Sequence, residues 1–216
     1  MMREHVLYAL KNAPMREYPF PHFFCPEVFP PDFYRELMRC LPPRENYATA
    51  QNSYGYHGRK FNDDYHELGL GFMDSRDFAL GVMSCFEKHI HERFKGVKVK
   101  MRAETRLIMD AENYHIGPHT DAPWKIVSLL FYLPSDESLK DLGTSIYLPN
   151  ETGRRCKGGP HYKFEEFTEI FRAPFVPNSC LGFWKTDDSW HGVAPITRAC
   201  RRDVLLFNLY AVGEEK

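Results

Sequence analysis

No long hydrophobic run occurs in this chain: its apolar residues come in short, interrupted stretches, far from the ~20 consecutive residues a membrane-spanning helix needs. The start, Met1-Met2-Arg3-Glu4-His5, lacks the charged-then-apolar order of a secretory signal, so a cytoplasmic location is expected. Neither sign of charge dominates. Lys plus Arg number 28 against 29 Asp plus Glu, for a net charge of -1, and such a balance calls for neither a nucleic-acid nor a membrane partner. The six cysteines, Cys25, Cys40, Cys85, Cys156, Cys180 and Cys200, show no C-x-x-C pair and no finger-like spacing with histidine. They read as reduced core thiols, neither a disulfide framework nor a structural zinc site. No signature of oligomeric state is present. At 216 residues the chain suits one core, and a single domain over 1–216 is expected.

What is present is a group of metal-ligating residue types. His119-Thr120-Asp121 stands between Tyr114 and the apolar run Ile126–Leu133, and Trp190-His191-Gly192-Val193 follows far downstream. Side chains alternate along an extended segment, so His119 and Asp121 share a face while Thr120 points away. One strand end can then give two ligands to one ion, and a barrel or sandwich brings His191 alongside from another strand. Two imidazoles and one carboxylate form the facial set of non-haem Fe(II) oxygenases, which leaves the opposite positions open. His-x-Asp alone is a weak signal. It gains weight from Arg201, ten residues after His191 at the head of the strand-like run to Tyr210, because a guanidinium there can clamp a carboxylate with two parallel hydrogen bonds. Arg202 would face the other way, and the spacing from His191 favours Arg201.

At these residues the chain resembles the 2-oxoglutarate and Fe(II)-dependent dioxygenases, in particular their prolyl-4-hydroxylase-like branch. The matching stretches are Asn113–Asp121, Ser128–Pro134, Gly143–Tyr147, Gly182–Trp184 and Ser189–Ile196 running into Arg201, with a weaker echo in Pro19–Phe24. The resemblance implies that His119, Asp121 and His191 bind and use the iron, that Arg201 binds the distal carboxylate of 2-oxoglutarate, and that Tyr114 adds a hydrogen bond to it. It implies Fe(II), 2-oxoglutarate as co-substrate, O2, and ascorbate as accessory reductant. The reaction would yield succinate and CO2 and hydroxylate an unactivated C–H bond; halogenating relatives give up the carboxylate that Asp121 supplies. Two departures stand out: Leu142-Gly143 replaces a Gly-Gly pair common among relatives, and arginine replaces the anchoring lysine of the prolyl hydroxylases proper. The second shifts the resemblance from the collagen-type enzymes towards bacterial-looking cousins.

The rest of the chain reads as helices first and strands later, a mainly β (α+β) pattern. It predicts a double-stranded β-helix, that is a cupin-like jelly roll, over 97–216 with an N-terminal helical and irregular brace over 1–96. Tyr18–Phe29 reads as irregular and aromatic. A short helix is predicted over Phe33–Cys40, opened by Pro30-Pro31-Asp32 and stopped by Pro42-Pro43. Phe78, Val82, Phe86, Ile90 and Phe94 recur every four residues and predict one amphipathic helix over Asp74–Phe94, with His89 and His91 at its surface. Strands are predicted over Arg102–Asp110, Ile126–Tyr132, Thr144–Leu148, Phe171–Phe175, Ser179–Trp184, His191–Val193 and Val204–Ala211. Asn150–Tyr162 is basic and glycine-rich, and reads either as a mobile lid over the site or as a solvated insertion.

Other residues compete for a place in the site. Gly117-Pro118 breaks the parity between His115 and His119, which leaves His115 peripheral. Tyr54, Tyr56, His57 and Arg59 stand on a loop that either rims a pocket or covers the core. Arg106 reads as exposed on its strand or, if buried, as a cation needing an anionic partner such as substrate or 2-oxoglutarate; Trp124 and Lys125 read as liners of the mouth, and Trp190 as packing that orients His191. The leading functional reading is hydroxylation of a small-molecule, sugar-like or amino-acid substrate. The same chemistry on a protein or peptide side chain comes next, and a non-catalytic metal-binding jelly roll or zinc hydrolase third. A hydrolase has no need of a carboxylate clamp.

Overall fold

The computed structural model describes residues 2–49, 59–62, 64–95 and 97–214. It opens with helix α1 (Met2–Asn12), strand β1 (His22–Pro26) and helix α2 (Pro31–Cys40). Pro31 tolerates the first turn of α2 because no helical partner awaits its missing N–H. Two short strands, β2 (Ala48–Thr49) and β3 (Arg59–Asn62), precede helices α3 (Arg76–Ser84) and α4 (Glu87–Arg93). Eight strands follow: β4 (Val99–Asp110), β5 (Ile116–His119), β6 (Lys125–Tyr132), β7 (Ser145–Pro149), β8 (Phe167–Arg172), β9 (Ser179–Trp184), β10 (His191–Val193) and β11 (Arg202–Glu214).

They form two antiparallel sheets, one ordered β1-β9-β6-β11-β4-β3-β2 and the other β5-β10-β7-β8. From β4 to β11 the chain changes sheet at every connection except the hairpin β7–β8, which is the jelly-roll winding. Between the sheets lie Ile108, Tyr132, Ile146, Phe175, Leu181 and Val204. The outer face of the large sheet is covered by the helices: Val6, Leu10, Phe78 and Val82 pack onto Leu107, Met109, Phe207 and Leu209. Phe78 meets Phe207 edge-on at 5.2 Å, and burial of each such ring contributes roughly 1.5–3 kcal/mol. Because both faces of β4 and β11 are covered there, Leu107–Met109 and Val204–Phe207 are apolar without interruption.

The N-terminal part is less purely a brace than its composition suggests. Tyr18–Phe29 contains β1, which pairs along β9 from His22 opposite Phe183 to Pro26 opposite Ser179, while β2 and β3 extend the other edge. The single helix expected over Asp74–Phe94 is two, interrupted where Phe86 (φ -121) turns inward to stack on Phe23 at 5.7 Å and meet Trp184 at 5.9 Å. His91 is exposed, but the His89 side chain is only 11% exposed, held near Glu17 and Trp184. Strand β8 lies earlier than the expected Phe171–Phe175, because Ala173 and Phe175 leave the strand for the inter-sheet core. Strand β5 was hidden by Gly117-Pro118; it is an edge strand, where a missing N–H is tolerated. No helix among the described residues is long and apolar enough to cross a membrane.

Candidate metal and co-substrate site

His119 is the last residue of β5 and lies directly opposite His191, the first of β10. That close pairing needs glycine at the next position of β10, since a Cβ on Gly192 would stand 2.5 Å from the Ile116 carbonyl. Asp121 follows on the turn, and the three side chains bring one ligand atom each to within 4.8 Å of one another, all buried. The Nδ1 of His119 lies 2.9 Å from the Gly117 carbonyl and the Nδ1 of His191 2.9 Å from the Ser189 carbonyl. A carbonyl only accepts, so each Nδ1 carries the proton and each Nε2 is left with a free lone pair, the form a metal takes. Burial, followed by the neighbouring His191, keeps the His119 imidazole neutral to well below its ordinary pKa, and burial lowers that of His191 despite the Asp121 charge. Burial works against ionising Asp121, but Lys125 above all, then both histidines, hold its carboxyl well below the usual range. Its oxygens accept from Lys125 Nζ at 2.8 Å and from the Ser128 hydroxyl at 3.0 Å. The result is two neutral nitrogen donors and one fixed carboxylate.

The same three residues line a cavity of about 170 Å³ that runs between the sheets to Arg202, with Tyr114, Ser128, Thr144 and Arg59 on its walls. Arg202 is wholly buried. Its Nε donates to the Leu142 carbonyl at 2.7 Å and its Nη1 to Asp110 at 2.5 Å. Its Nη2 and the Thr144 hydroxyl have no partner among the described residues, although a buried polar group left unmatched costs about 1–3 kcal/mol. Arg59 grips Asp110 from the other side through two bonds of 2.6 and 2.9 Å and lays its guanidinium over the Tyr114 ring at 4.2 Å. Two guanidiniums thus share one buried carboxylate.

Arg201, where the clamp was expected, does not line the cavity; its neighbour Arg202 does. Arg201 donates to Asp203 at 2.6 Å and to the Pro42 carbonyl at 2.7 Å, outside the cavity on the helical side of the sheet. Strand parity is the cause. Leu206 lines the cavity and Val204 fills the inter-sheet core, so Arg202 shares their face, while Asp203, Leu205 and Phe207 face the helices. Counting from His191 misled because the irregular Ala194–Arg201 connection carries no parity. The departure at Leu142 is harmless, since that residue gives Arg202 only its carbonyl. Gly143 is indispensable, because a Cβ there would stand 1.6 Å from the Ala173 carbonyl.

No protein-family model matches the chain. No characterised protein matches its sequence. Solved structures do match its backbone. It is similar to a Pseudomonas putida prolyl-4-hydroxylase at a TM-score of 0.56, with 15% identity over 98% of this chain and 100% of that one. It is similar to a Trichoplax adhaerens prolyl hydroxylase, solved with a peptide fragment of the hypoxia inducible factor oxygen degradation domain, at 0.56 with 14% identity over 97% and 89%. The alpha-ketoglutarate-dependent epimerase SnoN of nogalamycin biosynthesis matches at 0.56 with 12% identity over 97% and 80%. The chain has the fold of the 2-oxoglutarate/Fe(II) oxygenases.

Within this oxygenase fold the 150–162 segment is tied to the site at several points. Thr120 donates to the Cys156 carbonyl at 2.7 Å, Tyr162 N–H to the Pro118 carbonyl at 2.9 Å, and Cys156 N–H to Asp187 at 2.8 Å. Arg154 lies over the Tyr162 ring at 4.3 Å and pairs with Glu166 at 2.8 Å. These bonds dock the segment against the chain around Pro118, Thr120 and Asp187, while most of its side chains stay exposed. It brings the His161 ring to 4.6 Å from His119, a neighbour that sequence reading passed over for want of any spacing signal. Asp110 was missed too, as the last residue of an apolar strand. Lys125 lines the cavity, Trp124 stands 59% exposed beside it, and Trp190 is buried behind β10. His115 is peripheral and Arg106 pairs with Glu104 on an exposed strand face. Tyr54, Tyr56 and His57 lie outside the described residues.

Proposed function

We propose that the chain is an Fe(II)- and 2-oxoglutarate-dependent dioxygenase that hydroxylates an unactivated C–H bond of a small organic substrate, with release of succinate and CO2. The observation that carries this reading is the meeting, in one cavity, of two outward Nε2 lone pairs and a carboxylate with a buried guanidinium whose Nη2 lacks a partner. The donor set fits a divalent iron ion, and the unmatched Nη2 and Thr144 hydroxyl fit the far carboxylate of a short dicarboxylic acid. At about 170 Å³ the cavity is smaller than the ~300 Å³ at which drug-sized pockets begin.

His119, Asp121 and His191 would hold the iron, which would supply O2 activation, with 2-oxoglutarate giving up two electrons as it is decarboxylated to succinate. Lys125 and Ser128 fix the Asp121 carboxylate, and the Gly117 and Ser189 carbonyls fix the imidazoles, so the ligands need not reorganise on binding. Arg202 and Thr144 would orient the co-substrate, with the Tyr114 hydroxyl as a further donor. The 150–162 segment, which is hydrogen-bonded to Pro118 and Thr120 and sets the His161 ring 4.6 Å from His119, supports a compact substrate over a peptide lying across the site. Anaerobic titration with Fe(II) and 2-oxoglutarate tests the reading. Metal-dependent binding of 2-oxoglutarate, lost in His119→Ala, is expected, followed by substrate-stimulated succinate release; tight zinc binding with no affinity for 2-oxoglutarate would overturn it.

A further inference from the structure

The large sheet outreaches the small one. Strands β4 and β11 run over Val99–Asp110 and Arg202–Glu214, while their counterparts β5 and β10 span only Ile116–His119 and His191–Val193. The outer halves of β4 and β11 therefore project beyond the metal site as an overhang. Alternation dictates what that surface presents. The β4 face that carries Ile108 into the cavity also carries Arg106, Glu104 and Arg102, and the β11 face of Arg202 and Leu206 continues through Asn208 to Tyr210. Register sets Leu206 opposite Arg106, Asn208 opposite Glu104 and Tyr210 opposite Arg102, and on the other flank Asn208 opposite Ser128 and Tyr210 opposite Lys125. Since Ser128 donates to Asp121, the row is continuous from the metal ligands outward.

The charge on this row is unbalanced. Arg106 at 2.7 Å and Arg102 at 3.5 Å share the one carboxylate of Glu104. Among the described residues Lys125 pairs with Asp121, which the dioxygenase reading gives to the metal. Arg102 and Lys125 stand over the Tyr210 ring at 5.1 and 6.0 Å, and Arg106 over Phe61 at 5.6 Å. Burial first, then Glu104 and Asp121, push the Tyr210 phenol up to about 12. The whole chain carries -1, so this excess of cations is local. When a divalent ion draws on Asp121, Lys125 loses part of its attraction to that carboxylate. The guanidinium side chains of Arg102 and Arg106 are 59% and 47% exposed, open to a solute on this face.

Building on the dioxygenase reading, we infer that this overhang anchors the substrate, and that the substrate is a small organic anion whose carboxylate or phosphate docks on Arg106, Arg102 and Lys125. Its C–H bond then lies over the His119–Asp121–His191 centre, and its apolar part against Tyr210 and Phe61. Planar guanidiniums grip such groups through paired, charge-assisted bonds. Three cations gathered about two rings match one compact anion better than an extended acidic peptide.

The test uses full-length protein loaded with Mn(II) and saturating 2-oxoglutarate without O2, titrated calorimetrically with phenylacetate, phenyl phosphate and neutral phenylacetamide. The wild-type chain should prefer the anions over the amide by roughly tenfold or more, the loss expected when one charge-assisted contact is missing. Arg106→Gln should weaken that preference and Arg102→Gln/Arg106→Gln should abolish it, both with 2-oxoglutarate affinity and melting temperature as in the wild type. The ranking of phenylacetate against phenyl phosphate tells a carboxylate from a phosphate. Equal binding of amide and anions, no binding of either anion, an unchanged preference in the double variant, or tighter binding of an oligoglutamate peptide would each overturn the inference. Failure of the wild-type protein to bind 2-oxoglutarate in the same cell would instead sink the dioxygenase reading beneath it.

Discussion

Replacement of Arg202 by lysine separates the two candidate clamps and has a magnitude that follows from the geometry. Arg202 uses Nε on the Leu142 carbonyl and Nη1 on Asp110, which leaves Nη2 for a ligand. An ammonium on a shorter reach cannot serve three directions. If it stays with buried Asp110, the co-substrate loses one charge-assisted bond of about 1.5–3 kcal/mol, equivalent to about 10- to 150-fold in Kd. The Leu142 carbonyl also loses its donor, so the variant should melt lower by the equivalent of about 1–3 kcal/mol. Arg201→Lys is the control. The Arg201 side chain is 37% exposed and pairs with Asp203, a pairing an ammonium can keep, and its effect on affinity should stay within about twofold. Anaerobic titration of 2-oxoglutarate into metal-loaded protein reads both variants, with melting temperature followed separately. Tenfold weaker binding in Arg201→Lys with wild-type affinity in Arg202→Lys would refute the assignment and the strand parity behind it.

Alanine at His119, Asp121 or His191 should each abolish metal-dependent 2-oxoglutarate binding and turnover while costing no more than about 1–2 kcal/mol of apo stability; near-normal activity in any one would remove it from the ligand set. Gly158 and Gly159 both have φ +132, but only at Gly158 would a Cβ meet the Asp121 carbonyl, at 2.3 Å. Both alanine variants carry backbone strain of about 1–3 kcal/mol, yet only Gly158→Ala should lower metal affinity and raise proteolysis within 150–162. Burial lowers the pKa of His22 below the ordinary 6.5 in spite of the Phe20 carbonyl, so below that value the unfolded chain binds more protons than the folded one. Apo stability should then be full above pH ~6.5 and fall with pH until the folded pKa is reached. His22→Gln should lose less over that window, as read by thermal melts from pH 7 to 5.

Much of the site was legible because its signal is local. His119 and Asp121 are two positions apart, a separation whose geometry any extended backbone fixes, and the β9 and β10 boundaries follow from residues that alternate or turn over a few positions. The arginine that lines the cavity was readable only to the nearest residue. Choosing between Arg201 and Arg202 requires parity, which is carried back from the apolar stripe Leu205, Phe207, Leu209 and not forward through a loop. Asp110 and Arg59 were less accessible still. Their pairing joins β3 to β4 across the sheet, and a lone carboxylate closing an apolar strand has no sequence mark to distinguish it from a turn residue. Likewise β1 was obscured by proline and phenylalanine, residues whose burial depends on an edge that only the folded β9 provides.

The position of β11 has a consequence for how the molecule comes into being. It is synthesised after every other strand, yet it lies in the interior of the large sheet, hydrogen-bonded to β6 on one side and β4 on the other. Until it arrives, β4 and β6 have no shared neighbour, and a nascent chain exposes two unpaired, largely apolar strand edges. Contacts across such separations form slowly. Arg202 rides on this keystone strand, so on the proposed reading the competence to hold a co-substrate would be acquired in the same step that closes the sheet. A chain stalled before that step would carry both histidines and the aspartate with Arg59 but without Arg202, the proposed metal ligands without their proposed clamp.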